Sequence, residues 1–240
     1  MQAPLKHPVL LLHGALASEK QLRPLARELA AHYTVRTFSF AGHGGQPLEE
    51  STFTMRHFSA QVTRFLDAQG WESAHVFGYS MGGYAALAAA VAAPHRFRSI
   101  TTLGTKLDWS PATAALETRF LDVEKMRAKI PQFAAQLEQQ HAPTPLPALL
   151  AATAGLMRGL GDVPLLTPQN LSALEVPVQV LVGELDKTAG VDASRHFADF
   201  MPRATFEIIF NTPHPLDKVN PDLLTSRIAR FVEQTEDQRR

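Results

Sequence analysis

Short apolar runs alternate with longer helix-spaced segments from Val9 onward, and this alternation restricts the fold more than any other feature of the chain. It is the mark of consecutive βα units, which close into a parallel sheet with helices against its faces. Val9–Leu12 reads as a fully buried strand. Ser18–Ala31 has helical spacing, with regular helix expected only from about Pro24. Tyr33–Phe40 alternates as a strand, and Phe53–Gln69 places Phe58, Val62, Phe65 and Leu66 on one helical face. His75–Phe77 (strand), Met81–Ala92 (helix) and Ser99–Leu103 (strand) follow. Further on, strands are expected at Val178–Val182 and Thr205–Phe210, with a helix over Val191–Phe200 between them. A last amphipathic helix spans Pro221 to Glu233, and the polar tail after it is expected to fray.

The rhythm breaks once. From Leu107 to about Glu175 no strand pattern occurs, and helical stretches (Glu117–Lys129, Pro131–Gln140, Pro147–Leu160) are joined by proline-containing links. A structureless loop of that length is improbable in a compact domain, so a helical insertion is expected. The organisation is therefore a core of residues 1–106 and 176–240 with an insertion at 107–175. For 240 residues, 45% of them hydrophobic, one domain carrying an insertion is the natural size class.

Composition excludes several kinds of chemistry. Basic and acidic residues number 23 each, leaving no electrostatic footprint for nucleic acid or an anionic membrane. Cysteine is absent, and no two of the ten histidines lie two to four residues apart, so no local metal motif exists. No phosphate-binding loop occurs, and Gly42-His43-Gly44-Gly45 lacks the third glycine of a dinucleotide fingerprint. No cofactor or metal is expected. The longest small-apolar stretch, Ala85 to Ala93, is far below the ~20 residues of a membrane span. With no signal-peptide core either, a cytoplasmic protein acting on a small molecule is the expectation, its oligomeric state open.

The strongest chemical signal is Gly78-Tyr79-Ser80-Met81-Gly82-Gly83, set between an expected strand and an expected helix. A strand-to-helix turn this tight lifts the serine hydroxyl into a cleft above a helix N-terminus, and flanking glycines let neighbouring backbone pass. A serine needs a base held by an acid. Gly183-Glu184-Leu185-Asp186 follows one strand and Asn211-Thr212-Pro213-His214-Pro215 the next, giving the order Ser80, Asp186, His214. Glu184 and Asp108 are rival acids. Acyl transfer also needs two N–H donors for the developing oxyanion. Those of Met81, after the serine, and Ala15, after His13-Gly14, are placed to serve, with His13 an orienting residue rather than a proton carrier.

These motifs together resemble the α/β-hydrolase superfamily over almost the whole chain. His13-Gly14 matches its oxyanion loop, Gly78–Gly83 its elbow, Gly183–Asp186 its acid loop and Asn211–His214 its histidine loop, while Gly42-His43-Gly44 looks like its Gly-His-Gly turn. The resemblance implies an α/β fold: a central, mostly parallel twisted sheet of about six or seven strands, helices on both faces, and a helical cap inserted after the strand that follows the nucleophile elbow. The activity it implies is hydrolysis of a small carboxylic ester or thioester through an acyl-enzyme. C–C hydrolysis, perhydrolysis and lyase chemistry stay open, as does a non-catalytic ligand-binding role. Three features depart from the family. Ser39 stands where an acid often precedes the Gly-His-Gly turn, and Tyr84 stands where related lyases usually carry an arginine. The family's first two strands are expected to be shortened or missing. Trp109, Phe120, Met126, Phe133 and Met157 are candidates to line an acyl pocket, of which Trp109 and Met157 are favoured; packing within the cap is the alternative for each.

Overall fold

In the computed structural model, which describes residues 7–239, six strands form one sheet whose order, numbered along the chain, is 2-1-3-4-5-6, every neighbouring pair parallel. The core elements before the insertion are β1 (Pro8–Leu12), α1 (Arg23–Leu29), β2 (Thr34–Thr37), α2 (Met55–Ala68), β3 (Ala74–Tyr79), α3 (Met81–Ala92) and β4 (Phe97–Leu103). Five helices follow without an intervening strand: α4 (Pro111–Thr118), α5 (Val123–Lys129), α6 (Pro131–His141), α7 (Leu146–Asp162) and α8 (Pro168–Ser172). The core then resumes with β5 (Val178–Gly183), α9 (Val191–Ala198), β6 (Ala204–Ile209) and α10 (Pro221–Asp237).

Why β1 is a continuous apolar run is plain from its two faces. Leu10 and Leu12 belong to a core with α2 and α3, while Val9 and Leu11 pack with α1 and α10 on the other side. A parallel strand covered on both faces has no side that tolerates water. Helix α2 begins at Thr54, whose hydroxyl accepts the His57 N–H at 3.2 Å, and buries Phe58, Val62 and Leu66 on one stripe. Full burial of one such side chain contributes roughly 1.5–3 kcal/mol.

Several boundaries differ from the sequence expectation, each for a local reason. The strand expected to reach Phe40 ends at Thr37. Phe38 stacks on Phe65, Phe40 stacks on Phe58, and the Phe40 N–H goes to His13 Nε2 at 3.0 Å instead of to a strand partner. The helix expected over Glu117–Lys129 is two helices. Ser110 caps α4 with a reciprocal pair of bonds to Thr113, and the Asp122 side chain caps α5 through the Lys125 N–H at 3.0 Å. The tail expected to fray after Glu233 is instead helical to Asp237. Glu236 is buried there against Arg98, whose Nε donates to Oε1 at 2.6 Å while the Nη2 pairs with Oε2.

Candidate functional site

The strand order runs from β1 outward to β2 and then back past β1 to β3, so the crevice where the order reverses lies between β1 and β3. Open α/β sheets keep their sites at the C-terminal ends of strands at such a point. The loops after β1 and β3 carry His13–Leu16 and Ser80.

Ser80 sits between β3 and α3 at φ 51° and ψ −116°, a conformation a side-chain-bearing residue adopts only when its surroundings impose it. What imposes it is a set of contacts from β4, from Thr105 and from β1. The Ser80 N–H donates to Leu103 O at 2.9 Å, and its carbonyl accepts Thr105 Oγ1 at 3.1 Å. Helix α3 presses so close to β1 that a Cβ on Gly82 would lie 2.5 Å from Leu12 O. Glycine is the residue that close approach requires.

Asp186 and His214 meet. His214 Nδ1 donates to Asp186 Oδ2 at 2.8 Å, and Asp186 Oδ1 accepts the N–H groups of Thr188 and Ala189, both at 2.9 Å. The carboxylate is buried and oriented, and His214 is left with Nε2 free of any protein partner among the described residues. Tyr79 steadies the histidine loop from below, donating its hydroxyl to His214 O at 3.0 Å; burial pushes that phenol's pKa up, so it stays a donor. The rivals lie elsewhere. Glu184 Oε2 accepts the Asn211 N–H at 2.9 Å, and Asp108 is exposed at the start of the insertion.

Sequence reading passed over Gly104, at the end of β4. It has φ +60°, and a Cβ there would lie 2.9 Å from Asp186 Oδ2 and 3.2 Å from His214 Nδ1. A glycine directly after a strand, at the edge where sites gather, is the signal that marks it.

The loop after β1 is a turn closed by Ala17 N–H to Gly14 O at 3.2 Å. Neither the Ala15 nor the Met81 N–H has a protein acceptor among the described residues. His13 is fully buried: its Nδ1 donates to Gly14 O at 2.8 Å while Nε2 accepts from Phe40, which fixes the tautomer. Burial pulls its pKa down to about 4, so it is a neutral strut between two loops. Ser39 accepts the Glu19 N–H at 3.1 Å.

A cavity of about 50 Å³ opens beside Ser80, lined among others by Ala15, Met81, Tyr84, Trp109, Met157 and Leu156. That volume holds only a few waters. Trp109 and Met157 thus face it, whereas Phe120 and Phe133 are exposed and Met126 packs in a small cluster with Ala134 and Leu137. Tyr84 accepts the Leu165 and Leu166 N–H groups, both at 3.1 Å, tying the end of the insertion to α3. Its charged lining is Lys106 and Glu117, which pair at 3.4 Å, and Lys106 also donates to Thr188 O at 3.2 Å. Neither was singled out from sequence, where nothing local brings them together.

Among the described residues one trio of metal-capable side chains converges, His7, His75 and Glu236, with ligand atoms within 4.8 Å of one another. It lies at the opposite end of the strands from Ser80, and the Arg98 guanidinium already holds both Glu236 oxygens. A cation there would face that charge. No described helix is long and apolar enough to cross a membrane.

Comparison with known proteins agrees with the fold. The alpha/beta hydrolase fold family matches residues 7–143. The chain is similar to 3-oxoadipate enol-lactonase 1 of Acinetobacter baylyi, 24% identical over 251 residues, covering 97% of this chain and 91% of that protein. It is similar at the same level to the pimeloyl-[acyl-carrier protein] methyl ester esterase of Aliivibrio salmonicida, 24% identical over 252 residues and covering 96% and 93%. Among solved structures it resembles a thermophilic esterase from Thermogutta terrifontis, with a TM-score of 0.78, 20% identity and coverage of 96% and 91%.

Proposed function

The chain belongs to the α/β hydrolase family, and from that membership we propose that it is a serine hydrolase of small carboxylic esters or thioesters. Ser80 is the nucleophile, His214 the base, Asp186 the acid that orients it, and the Ala15 and Met81 N–H groups form the oxyanion hole. The observation that carries this reading is the 2.8 Å Asp186–His214 bond, on loops adjoining a serine held at positive φ.

The chemistry follows from those atoms. With Nδ1–H committed to Asp186, His214 Nε2 is the lone pair that takes the Ser80 proton as Oγ attacks the carbonyl carbon. The carbonyl oxygen becomes negative between two N–H groups that have no other acceptor among the described residues, so no reorganisation is needed when charge develops. Collapse breaks the ester bond, and the leaving alkoxide or thiolate takes the proton back from His214. Water, deprotonated by the same Nε2, then attacks the acyl carbon, the bond from that carbon to Ser80 Oγ breaks, and His214 returns the proton to Oγ as the acid leaves.

Residues 107–175 act in this reading as the cap that sets substrate choice. Trp109 and Met157 contribute an apolar wall to the cavity beside Ser80. The relatives named an enol-lactonase and a methyl ester esterase act on a cyclic and a simple ester, which supports the bond type. Incubation with a fluorophosphonate probe, followed by peptide mapping, tests the assignment: label on Ser80, abolished in Ser80→Ala, is expected. An unlabelled Ser80 in protein that hydrolyses none of a p-nitrophenyl ester series would overturn it.

A further inference from the structure

The insertion reaches the β1 loop through the last turn of α6 and through Leu16, which packs against the cluster of Met126, Leu137 and Leu146. His141, the last of α6, is fully buried, and both of its ring nitrogens are used on core loops. Nδ1 accepts the Gly44 N–H at 2.9 Å, so the proton resides on Nε2, which donates to Leu16 O at 3.1 Å. Gln140 Nε2 donates to the same carbonyl at 3.3 Å. The His43 ring lies edge-on at 5.7 Å, and burial holds His141 below the ordinary histidine pKa, keeping this tautomer neutral.

What His141 holds is a strained backbone. Leu16 has φ 55°, a left-handed conformation that a leucine keeps only under constraint. It occupies the third position of the Gly14–Ala17 turn, directly after Ala15. Rotation at Leu16 toward ordinary φ would turn the Ala15–Leu16 peptide and re-aim the loop.

We propose that His141 is a positioning residue for the oxyanion hole: by fixing the Leu16 carbonyl from the cap side, it keeps the Ala15 N–H aimed at the reacting carbonyl and makes the hole depend on cap docking. This rests on the hydrolase reading above. A residue that merely glued the cap in place would act on substrate fit; one that aims a donor acts on the stabilised oxyanion.

Two near-isosteric replacements separate these roles. In His141→Asn the amide oxygen can stand near Nδ1 and keep the Gly44 contact, whereas in His141→Gln the amide nitrogen can stand near Nε2 and keep the Leu16 contact. The readouts are the second-order rate of fluorophosphonate labelling at Ser80, kcat and KM with p-nitrophenyl acetate, and thermal unfolding to confirm folded protein. Removing an oxyanion donor outright costs about 10²–10³ in rate, so a misaimed one should cost about 10- to 100-fold in labelling and kcat in His141→Ala and His141→Asn. KM should change little, and His141→Gln should recover most of the rate. Should His141→Ala fail to fold, the Asn–Gln comparison decides. Equal rates in the two amides, wild-type labelling in His141→Ala, or a loss confined to KM would each overturn the proposal. A wild-type Ser80 that does not label at all would remove the hydrolase reading and this inference with it.

Discussion

Gly104→Ala is the sharpest perturbation the structure offers, because one methyl group would enter the Asp186–His214 pair. Two penalties follow. The backbone at φ +60° costs an L-residue about 1–2 kcal/mol relative to glycine. The added carbon would lie 2.9 Å from Asp186 Oδ2 and 3.2 Å from His214 Nδ1, wedged against both ends of their bond. Relieving the tighter contact takes a displacement of about 0.5 Å, given ordinary carbon contacts near 3.5 Å. A 1 Å misplacement in an active site can cost about 10²-fold, so kcat should fall about tenfold or more. The unfolding free energy should fall by about 1–2 kcal/mol, a drop in Tm of about 2–8 °C at this chain length. The assay is p-nitrophenyl acetate hydrolysis beside urea denaturation, with Gly155→Ala as control. That glycine lies within α7 with nothing near its would-be Cβ, so alanine there should add about 0.5–1 kcal/mol and leave kcat alone. A Gly104→Ala enzyme with kcat within twofold of wild type would refute the assignment of Asp186 and His214, whatever its stability.

Asp186→Asn should reduce kcat by about 10⁴ while leaving the fold intact, whereas Asp108→Asn should be mild; the reverse ranking, measured on the same ester, would move the acid to the other loop. Met157→Ala and Trp109→Ala should shift preference among p-nitrophenyl esters toward longer acyl chains, by about tenfold or more per pair compared, with little effect on the acetate; an unchanged chain-length profile would remove these residues from the acyl wall. Stability should fall on acidification, because His13 is held neutral in the fold with a pKa of about 4 while the unfolded chain titrates near 6.5. Between those values the unfolded state binds the extra proton, so stability is present above pH 6.5 and is lost as pH falls toward 4, at about 3 kcal/mol in full. Buried His43 and His141 act in the same direction, and a urea midpoint unchanged between pH 7 and pH 5 would contradict this reasoning.

The fold was legible where pattern and packing coincide. Val9–Leu12, an unbroken apolar run buried on both faces, and α2, with one apolar stripe at a period of 3.6, are patterns the sequence displays directly. It was less legible where a tertiary partner replaces a regular one. Phe38 and Phe40 have the composition of a strand, yet their rings are taken by α2 and the Phe40 N–H by His13. The polar tail looked free because its residues are hydrophilic; Glu236 is held by Arg98, far away in sequence, and a charge pair of that kind leaves no periodicity to read.

The site divides along the same line. Ser80, Asp186 and His214 each follow a strand, so the topology that orders the strands also gathers their ends, and each of the three lies in a short motif that the sequence displays. Lys106, Glu117, Tyr84 and His141 instead act between the insertion and the core, and each finds its partner through the way the insertion lies down. No spacing rule encodes that. The groups proposed to do chemistry stand on loops that leave the C-terminal ends of β3, β5 and β6. The loop carrying Ala15, though it also leaves a strand, is tied through the Leu16 carbonyl to Gln140 and His141 on the last turn of α6. If His141 aims the Ala15 N–H as proposed, that donor depends on a contact from the insertion, whereas the Asp186–His214 pair does not. Substrate-dependent movement of the insertion would therefore act on the stabilisation of the transition state before it acted on the proton relay.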